Sequence, residues 1–234
     1  MSDPQAAPVA VLGGTFDPVH YGHLRPAIEL LEALGLSQIR LVPGHVPPHR
    51  PQPRLGAQAR ARLLETAVAG IPGLAVDRCE LDRSGPSYTV DTLAGLRCRL
   101  GGHRPLCFIM GRDAFRGLMQ WHQWEALTRQ AHLVVMTRGG DAEALPPALV
   151  EWMRPRRMHD PAALRRSPSG GVLFQAVSRL EISATGIRRC LALGRSAQGL
   201  MPDVVWHELA SSGCYGYPQV SRASSPGRLN PHHV

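Results

Sequence analysis

Short apolar runs that end in glycine or arginine alternate with amphipathic segments, and this alternation constrains the fold more than any other feature of the sequence. The first run covers residues 8–12 and stops at two glycines, and the next covers residues 38–42. Between them, leucines and an isoleucine recur at helical spacing over residues 22–34, and Gly35 is a natural helix stop. A strand, a helix and a strand joined by short connections predict a parallel βαβ unit.

The same pattern continues along the chain. It predicts a pair of strands over residues 75–81 and single strands over residues 106–110, 132–136 and 172–177. Helical spacing recurs over residues 55–69, 88–100, 145–153, 183–193 and 202–209. We therefore expect an α/β protein with a doubly wound parallel sheet, helices on both faces and a small C-terminal helical part. In such sheets ligands bind beyond the carboxyl ends of the strands.

Length and composition limit the domain organisation. A chain of 234 residues is long enough for one ordinary domain, which we place at residues 8–210. The Pro- and Arg-rich segment 142–171 is predicted to be a surface excursion. From Ser211 the composition shifts to Ser, Gly, Pro and His, which predicts a poorly ordered tail over residues 211–234.

Charge and cysteine content exclude several classes of protein. The formal net charge is +8 and all basic residues are arginines, but they are scattered and only 5% of residues are aromatic, which favours small anions over nucleic acid as partners. Five cysteines without a CxxC pair indicate neither a disulfide framework nor a zinc site. There is no apolar run of about 18 residues and no basic segment before an apolar one near residue 1, so we expect a cytoplasmic protein without membrane contact.

The string GGTFDPVHYGH, residues 13–23, joins the first predicted strand to the first predicted helix. Glycines there let the backbone approach a ligand closely, and a helix N-terminus attracts phosphate. His20 and His23 are three residues apart, so both imidazoles face one side of the first turn and can donate to the same phosphate. Two capping or surface histidines, or a metal site that includes Asp17, are the alternatives.

A second junction of the same kind is the string ISATGIR, residues 182–188. Ser183 is a suitable N-cap, and Thr185 and Arg188 would project a hydroxyl and a guanidinium from the first turns of a helix. Two helix N-termini from opposite ends of the chain could then face one polyphosphate. A simple cap followed by a solvated arginine is the alternative.

These two strings resemble the signatures of the HxGH-type nucleotidyltransferases. With the strings VPPHR (46–50), PSYT (86–89) and GRD (111–113) and the region of Trp121, the chain is similar over residues 8–210 to the bacterial nicotinate mononucleotide adenylyltransferase family. The resemblance implies a Rossmann-like sheet and a reaction of ATP with nicotinate mononucleotide that gives deamido-NAD and pyrophosphate and requires magnesium. The same reaction on nicotinamide mononucleotide or phosphopantetheine, or a non-catalytic nucleotide- or RNA-binding protein, remains open, as does the oligomeric state, a homo-oligomer included.

The resemblance also implies roles for individual residues, which fall into three groups. The catalytic group is His20, His23 and Arg188. The ATP-binding group is Gly14, Thr15, Phe16, His49, Arg50, Gly111, Asp113, Arg138, Ile182, Ser183 and Thr185. The mononucleotide-binding group is Ser87, Tyr88, Thr89 and Trp121. No side chain is expected to ligate the metal, because magnesium is usually held mainly by phosphates and waters, and Asp17 is expected to order its turn.

Overall fold

The computed structural model describes residues 7–45, 52–83, 85–140 and 143–218, and within these ranges β-strands alternate with α-helices. The strands are β1 (Val9–Gly14), β2 (Gln38–Pro43), β3 (Leu74–Val76), β4 (Leu106–Gly111), β5 (His132–Thr137), β6 (Arg157–Met158) and β7 (Val172–Ala176). The helices are α1 (Tyr21–Ala33), α2 (Ala57–Val68), α3 (Thr89–Leu100), α4 (Arg112–Arg116), α5 (Leu127–Gln130), α6 (Pro147–Met153), α7 (Ala184–Ala192) and α8 (Asp203–Ser212).

All strands belong to one parallel sheet in the order β3-β2-β1-β4-β5-β7-β6. Strands β2 and β3 extend the sheet on one side of β1, and β4 then pairs with β1 on its other side. The strand order therefore reverses between β1 and β4, and ligands of doubly wound sheets bind at such a point. Gly14 and Gly111 end these two strands. The predicted parallel sheet is confirmed, and its crevice lies beside the first glycine-rich string.

Alternate residues of the strands enter two separate apolar layers. In β1, Ala10 and Leu12 belong to a buried cluster with residues of α1, α2, α7 and α8, whereas Val9 and Val11 belong to a cluster with residues of α3 and α4. Successive side chains of a strand point to opposite faces, so both faces of the sheet must be covered. The predicted placement of helices on both faces is confirmed. No helix in the described ranges is long and apolar enough to cross a membrane.

The predicted strand pair at residues 75–81 is wrong. The only strand that the structure describes there is β3, because the chain turns away after Val76. The amide of Asp77 still donates to the carbonyl of Leu41, but the Asp77 carboxylate then accepts from the amide of Cys79 and closes a tight turn. A local side-chain bond of this kind competes with sheet pairing.

The segment 142–171 is more than a surface excursion. It contains α6 and the short strand β6, which pairs with β7 at the edge of the sheet. Leu149 and Leu164 are completely buried, one in each apolar layer. The predicted helix at residues 145–153 is present as α6, whereas a strand of two residues has no periodicity that the sequence could reveal, so β6 was not predicted.

The ordered structure extends past the predicted tail boundary at Ser211. Helix α8 ends at Ser212, and the turn after it buries the ring of Tyr215, which is 8% exposed. The shift to small and polar residues therefore marks a helix end and a turn. Residues 219–234 lie outside the described ranges.

Replacing Gly95 by alanine is expected to stabilise the protein. Gly95 lies on the exposed side of α3, and a β-carbon there would meet no atom within 4 Å. Alanine is better than glycine in a helix interior by about 0.5–1 kcal/mol, so the free energy of unfolding should rise by that amount in urea titrations. Gly101 is the matched contrast, since its surroundings are equally open but its φ is +83°. Gly101→Ala should destabilise, and a gain at both positions would contradict the backbone argument.

Candidate active site

In the turn between β1 and α1, the backbone of Phe16 is in the left-handed region and its ring packs against Gly14. Phe16 has a φ of +49°, and its ring is buried, with 2% exposed. A β-carbon on Gly14 would lie 2.9 Å from the tip of that ring. A larger residue at position 14 would have to displace the Phe16 ring, which is buried against this turn. Any contribution of Phe16 to ATP binding would come from its backbone.

His20 and His23 form a stacked pair at the start of α1. His20 is the N-cap and is buried, with 4% exposed, and His23 follows on the first turn. Their ring centroids are 3.8 Å apart at an interplanar angle of 24°, and the edge of Phe16 packs against His23. The Nδ1 atoms of both rings are buried and have no hydrogen-bond partner among the described residues. Because an unpaired N–H is costly, we assign the proton of each neutral ring to Nε2.

Both imidazoles are neutral at physiological pH. Burial, together with the positive charge of Arg138, lowers the pKa of His20 to about 4. Burial lowers the pKa of His23 to about 3, with further contributions from His20 and Arg138. The pair thus offers neutral N–H donors. Arg138 follows β5 directly, and its charge acts on the histidines, a role that is more specific than the ATP binding predicted from the sequence.

The N-terminus of α1 offers fewer free amides than the sequence suggests. The amide of Tyr21 donates to the carbonyl of Leu200 at 3.0 Å, and that of His23 donates to the carbonyl of His20 at 2.9 Å. These donors are used within the protein. The imidazoles of His20 and His23 are therefore the main hydrogen-bond donors that α1 offers to the crevice.

The second string forms the N-terminus of α7, as predicted. Ser183 is the N-cap, and its hydroxyl accepts from the amide of Gly186 at 3.1 Å. The amides of Ala184 and Thr185 form no hydrogen bond with residues in the described ranges. The Thr185 hydroxyl accepts from Nη2 of Arg188 at 3.0 Å. This helix start therefore offers two open amides and an oriented guanidinium, which suits an anion.

The two strings, far apart in sequence, are in direct contact. A β-carbon on Gly22 would lie 2.7 Å from the main-chain oxygen of Ile182 and 2.9 Å from the His20 ring. Nη1 of Arg188 donates to the main-chain oxygen of Asp17 at 2.7 Å. The N-termini of α1 and α7 therefore meet at the β1 side of the crevice, and the histidine pair and Arg188 belong to one site.

The Asp17 carboxylate ties the turn after β1 to two other segments of the chain, whereas the sequence suggested that it orders its own turn. This buried carboxylate accepts hydrogen bonds from the amides of Arg54 and Leu55 and from the hydroxyl of Tyr215. No group of three acidic, histidine or cysteine residues in the described ranges could hold a metal ion. The described side chains therefore do not fit a magnesium ion held by the protein itself.

Arg60 is a structural element of the site that was not predicted. It is 1% exposed and donates to the main-chain oxygens of Thr15, Gly44, His45 and Leu55. Burial lowers its pKa, with an opposing effect from Asp17, but a guanidinium stays charged in proteins. Its fork joins the turn after β1 to the chain leaving β2. The available signal was an arginine in the apolar stripe of α2, in line with leucines three and four residues later.

The residues of the predicted mononucleotide group lie near the start of α3, except for Trp121. Tyr88 is the N-cap of α3, Thr89 is its first residue, and the Ser87 hydroxyl accepts from the amide of His45. Trp121 is half-buried with its ring edge-on to Phe108 at 6.1 Å, and both Tyr88 and Trp121 pack against the same apolar layer. The structure therefore brings this group to one side of β4.

A buried carboxylate, Glu80, also lies in this region and was not predicted. It is 9% exposed and accepts from the hydroxyl of Thr92 at 2.7 Å. Burial raises its pKa, while hydrogen bonds from Thr92 and Ser87 oppose the shift. Glu80 thereby ties the segment before α3 to α3 itself. Its sequence context, between arginines in a turn, gave no sign of burial.

The remaining predicted ATP-binding residues occupy different positions. Gly111 ends β4, and a β-carbon there would lie 2.5 Å from Oδ1 of Asp113, whose side chain folds back over the glycine. Asp113 lies in the first turn of α4, whose N-cap is Gly111. His49 and Arg50 lie outside the described residues.

Acidification is expected to destabilise the protein through the histidine pair. The usual pKa of 6.5 falls to about 4 and about 3 in the folded state, so below about pH 6.5 the unfolded chain binds protons that the folded chain does not. The stabilisation is fully present above pH 6.5 and decreases toward pH 4, by about 1.4 kcal/mol per pH unit for each histidine. The free energy of unfolding, measured by urea titration at several values between about pH 7 and pH 5, should change with pH with a smaller slope in the double variant His20→Asn/His23→Asn than in the wild type. Equal slopes would contradict the lowered pKa values.

The parallel sheet, the glycine turn and the two helix N-termini at the point where the strand order reverses define a nucleotide-binding α/β protein. Residues 11–190 match the family described as cytidylyltransferase-like. A relative from Halorhodospira halophila, described as a probable nicotinate-nucleotide adenylyltransferase, is 54% identical over 91% of this chain and 97% of its own length. One of the same description from Yersinia enterocolitica is 45% identical over 88% of this chain and 94% of its own length. The chain belongs to the cytidylyltransferase-like family and, within it, to the nicotinate-nucleotide adenylyltransferases.

Solved structures of low sequence identity share the fold. The Plasmodium falciparum nicotinic acid mononucleotide adenylyltransferase complexed with APC has a TM-score of 0.65 at 15% identity and covers 91% of this chain and 98% of its own. The same protein complexed with NaAD has a TM-score of 0.64 at 16% identity over the same shares of the two chains. At these identities the likeness concerns the architecture, and it agrees with the Rossmann-like sheet that the resemblance implied.

Proposed function

We propose that the protein transfers the adenylyl group of ATP to nicotinate mononucleotide and releases deamido-NAD and pyrophosphate. The observation that carries the proposal is the contact between the two strings, with Gly22 against Ile182 and Arg188 on Asp17. It brings imidazole, guanidinium and amide donors to one end of the crevice. The relatives at 45–54% identity support the choice of substrates.

The chemistry requires charge neutralisation and alignment. A phosphate oxygen of the mononucleotide attacks the α-phosphorus of ATP, the new P–O bond forms, and the bond from the α-phosphorus to the bridging oxygen breaks with loss of pyrophosphate. The attacking oxygen is already ionised at neutral pH, so no general base is needed. Repulsion between two anions opposes the step, and positioned donors reduce it by about 3 kcal/mol each. Alignment of the two reactants contributes about 7–11 kcal/mol.

The described side chains suit these tasks. The Nε2–H groups of His20 and His23 would donate to the α- and β-phosphates, and the buried position of the rings makes their orientation fixed. Arg188, Thr185 and the open amides of α7 would hold the β- and γ-phosphates. Gly14 and Thr15 would let the chain approach the triphosphate, and Arg138 would add positive charge beside the histidines. Gly111 and Asp113 would face the adenosine.

The pyridine end of the mononucleotide would bind at the start of α3. Trp121 offers a half-buried indole for stacking on the ring, and the Thr89 hydroxyl with nearby amides offers donors to a carboxylate. An amide substituent needs acceptors, which these groups supply poorly, so the acid should be preferred over the amide. Ser87 already accepts from the amide of His45, which links this end of the site to the chain leaving β2.

Magnesium belongs to the proposal as an ion that enters with ATP. The carboxylate of Asp17 is used within the protein, and no described cluster of side chains could ligate a metal. Phosphates and water hold magnesium in many such sites. The ion would supply charge neutralisation on the triphosphate when bound.

Turnover with defined substrates tests the proposal. Purified protein is incubated with ATP, magnesium and either nicotinate mononucleotide, nicotinamide mononucleotide or phosphopantetheine, and pyrophosphate and the adenylylated product are measured. We expect the highest kcat/KM for the acid mononucleotide. Preference for the amide would refute the placement of Thr89, preference for phosphopantetheine would refute the substrate class, and RNA binding that weakens steeply with salt and occurs without turnover would support the non-catalytic alternative.

A further inference from the structure

Tyr215 is tied to the site by one short hydrogen bond. It follows α8 in a turn where its own φ is +59°, and its ring is buried. The hydroxyl donates to Oδ1 of Asp17 at 2.6 Å, although the two residues are 198 positions apart. The last described turn of the chain therefore reaches the turn that precedes the histidine pair.

Asp17 connects this turn to Arg188. Oδ1 also accepts from the amide of Leu55 at 3.2 Å, and Oδ2 accepts from the amide of Arg54 at 2.9 Å. The main-chain oxygen of Asp17 accepts from Nη1 of Arg188 at 2.7 Å, whereas the same Nη1 lies 3.9 Å from Oδ2. The guanidinium of Arg188 is thus hydrogen-bonded to the main chain of Asp17, and it lies beyond hydrogen-bond distance of the Asp17 carboxylate.

We propose that Tyr215 is a positioning residue whose hydroxyl occupies the Asp17 carboxylate, so that the guanidinium of Arg188 stays on the Asp17 main chain and points to the triphosphate. The inference rests on the proposed function for the role of Arg188. Without the hydroxyl, Oδ1 loses a donor in a buried setting, and among the described residues Arg188 lies within ion-pair distance of this carboxylate, with Nη1 at 3.9 Å from Oδ2. A guanidinium drawn onto the carboxylate would leave Thr185 and the start of α7.

Burial and the bond to Asp17 suit the phenol to this task. They raise the pKa of Tyr215 well above its ordinary value of 10. The hydroxyl therefore remains protonated, and remains a donor, over the whole pH range in which the enzyme would work. Replacement by phenylalanine removes one oxygen and keeps the ring that fills the apolar layer.

A double-mutant cycle with Tyr215→Phe and Arg188→Ala tests the inference. Tyr215→Phe should lower kcat/KM for ATP about tenfold, as expected for a lost bond to a buried charged group, with KM for the mononucleotide unchanged. In the Arg188→Ala background the same change should have an effect below about twofold, because the residue that it positions is absent. Equal effects in both backgrounds would overturn the inference, since a purely structural loss is independent of Arg188.

Two further measurements keep the outcomes distinct. Calorimetric binding of ATP without the mononucleotide should show the same coupling, so the inference can be judged even if the wild type gives no pyrophosphate and the proposed function fails. Tyr217→Phe is the matched control, because it removes a hydroxyl from the same turn and keeps the ring that packs on Trp206. Its kcat/KM and its affinity for ATP should equal those of the wild type. If Tyr215→Phe alone does not fold, it is made in Asp17→Asn, which lacks the carboxylate that would attract Arg188; Tyr215→Phe should then change kcat/KM for ATP less than about twofold, and a tenfold loss there would overturn the inference.

Discussion

His23→Ala is expected to lower kcat by about 10²-fold or more in a protein that stays folded. The imidazole is stacked on His20 and held edge-on by Phe16, so its orientation is fixed before substrate binds. A donor of this kind acts on charge that develops as pyrophosphate leaves, and its loss should therefore appear in kcat more than in KM. Steady-state kinetics with ATP and nicotinate mononucleotide measure it.

The control for this prediction is a histidine outside the crevice. His207 is exposed on α8, and His207→Ala should keep the wild-type kcat. Circular dichroism and thermal melting establish that both variants are folded. An unchanged kcat in His23→Ala would remove this imidazole from the mechanism, and an equal loss in His207→Ala would show that the effect is not specific to the site.

Gly22→Ala is expected to lower kcat/KM for ATP by about 10²-fold, since a displacement of about 1 Å at a reacting centre has that effect. The added β-carbon would lie 2.7 Å from the Ile182 main-chain oxygen and 2.9 Å from the His20 ring. A main-chain oxygen cannot move aside by rotating a side chain, so the start of α7 must shift away from α1. The donors of the two helices would then no longer face the same triphosphate.

Helix propensity alone would make Gly22→Ala stabilising, because alanine is favoured over glycine in a helix. The expected loss of kcat/KM therefore does not come from helix propensity. Gly95→Ala is therefore the matched control, because its surroundings are open, and it should keep kcat/KM while gaining stability. If Gly22→Ala retains wild-type kcat/KM, the contact between the two strings has more freedom than the distances indicate, and the convergence argument for the site fails.

Much of the fold follows from local patterns. The bounds of α1, α7 and the central strands agree with the expected ones to within about two residues, which is the usual uncertainty of element ends. Ser183 caps α7 as predicted, because a cap depends on residues two or three positions away. The glycine-rich string at the end of β1 is likewise found at the switch point, since a buried strand followed by glycines and a helix has few other arrangements.

Other parts of the site depend on partners that no local pattern identifies. The composition from Ser211 onward predicted a poorly ordered tail, yet the Tyr215 hydroxyl donates a hydrogen bond to Asp17. Arg60 is a charged residue whose burial is possible only because main-chain oxygens from separate loops surround it. Glu80 is buried because α3 supplies the Thr92 hydroxyl. In each case the partner comes from another part of the chain, and nothing near the residue identifies it.

The sequence alone determined the alternation of strands and helices, the parallel sheet, and the two donor-rich strings, because periodicity, caps and glycine turns act over a few residues. The tertiary structure decided that Gly22 abuts Ile182, that Arg188 rests on Asp17 and that Tyr215 closes the arrangement. These contacts join residues more than 150 positions apart. They exist only when the strand order reverses beside β1 and brings both helix starts to the same edge of the sheet.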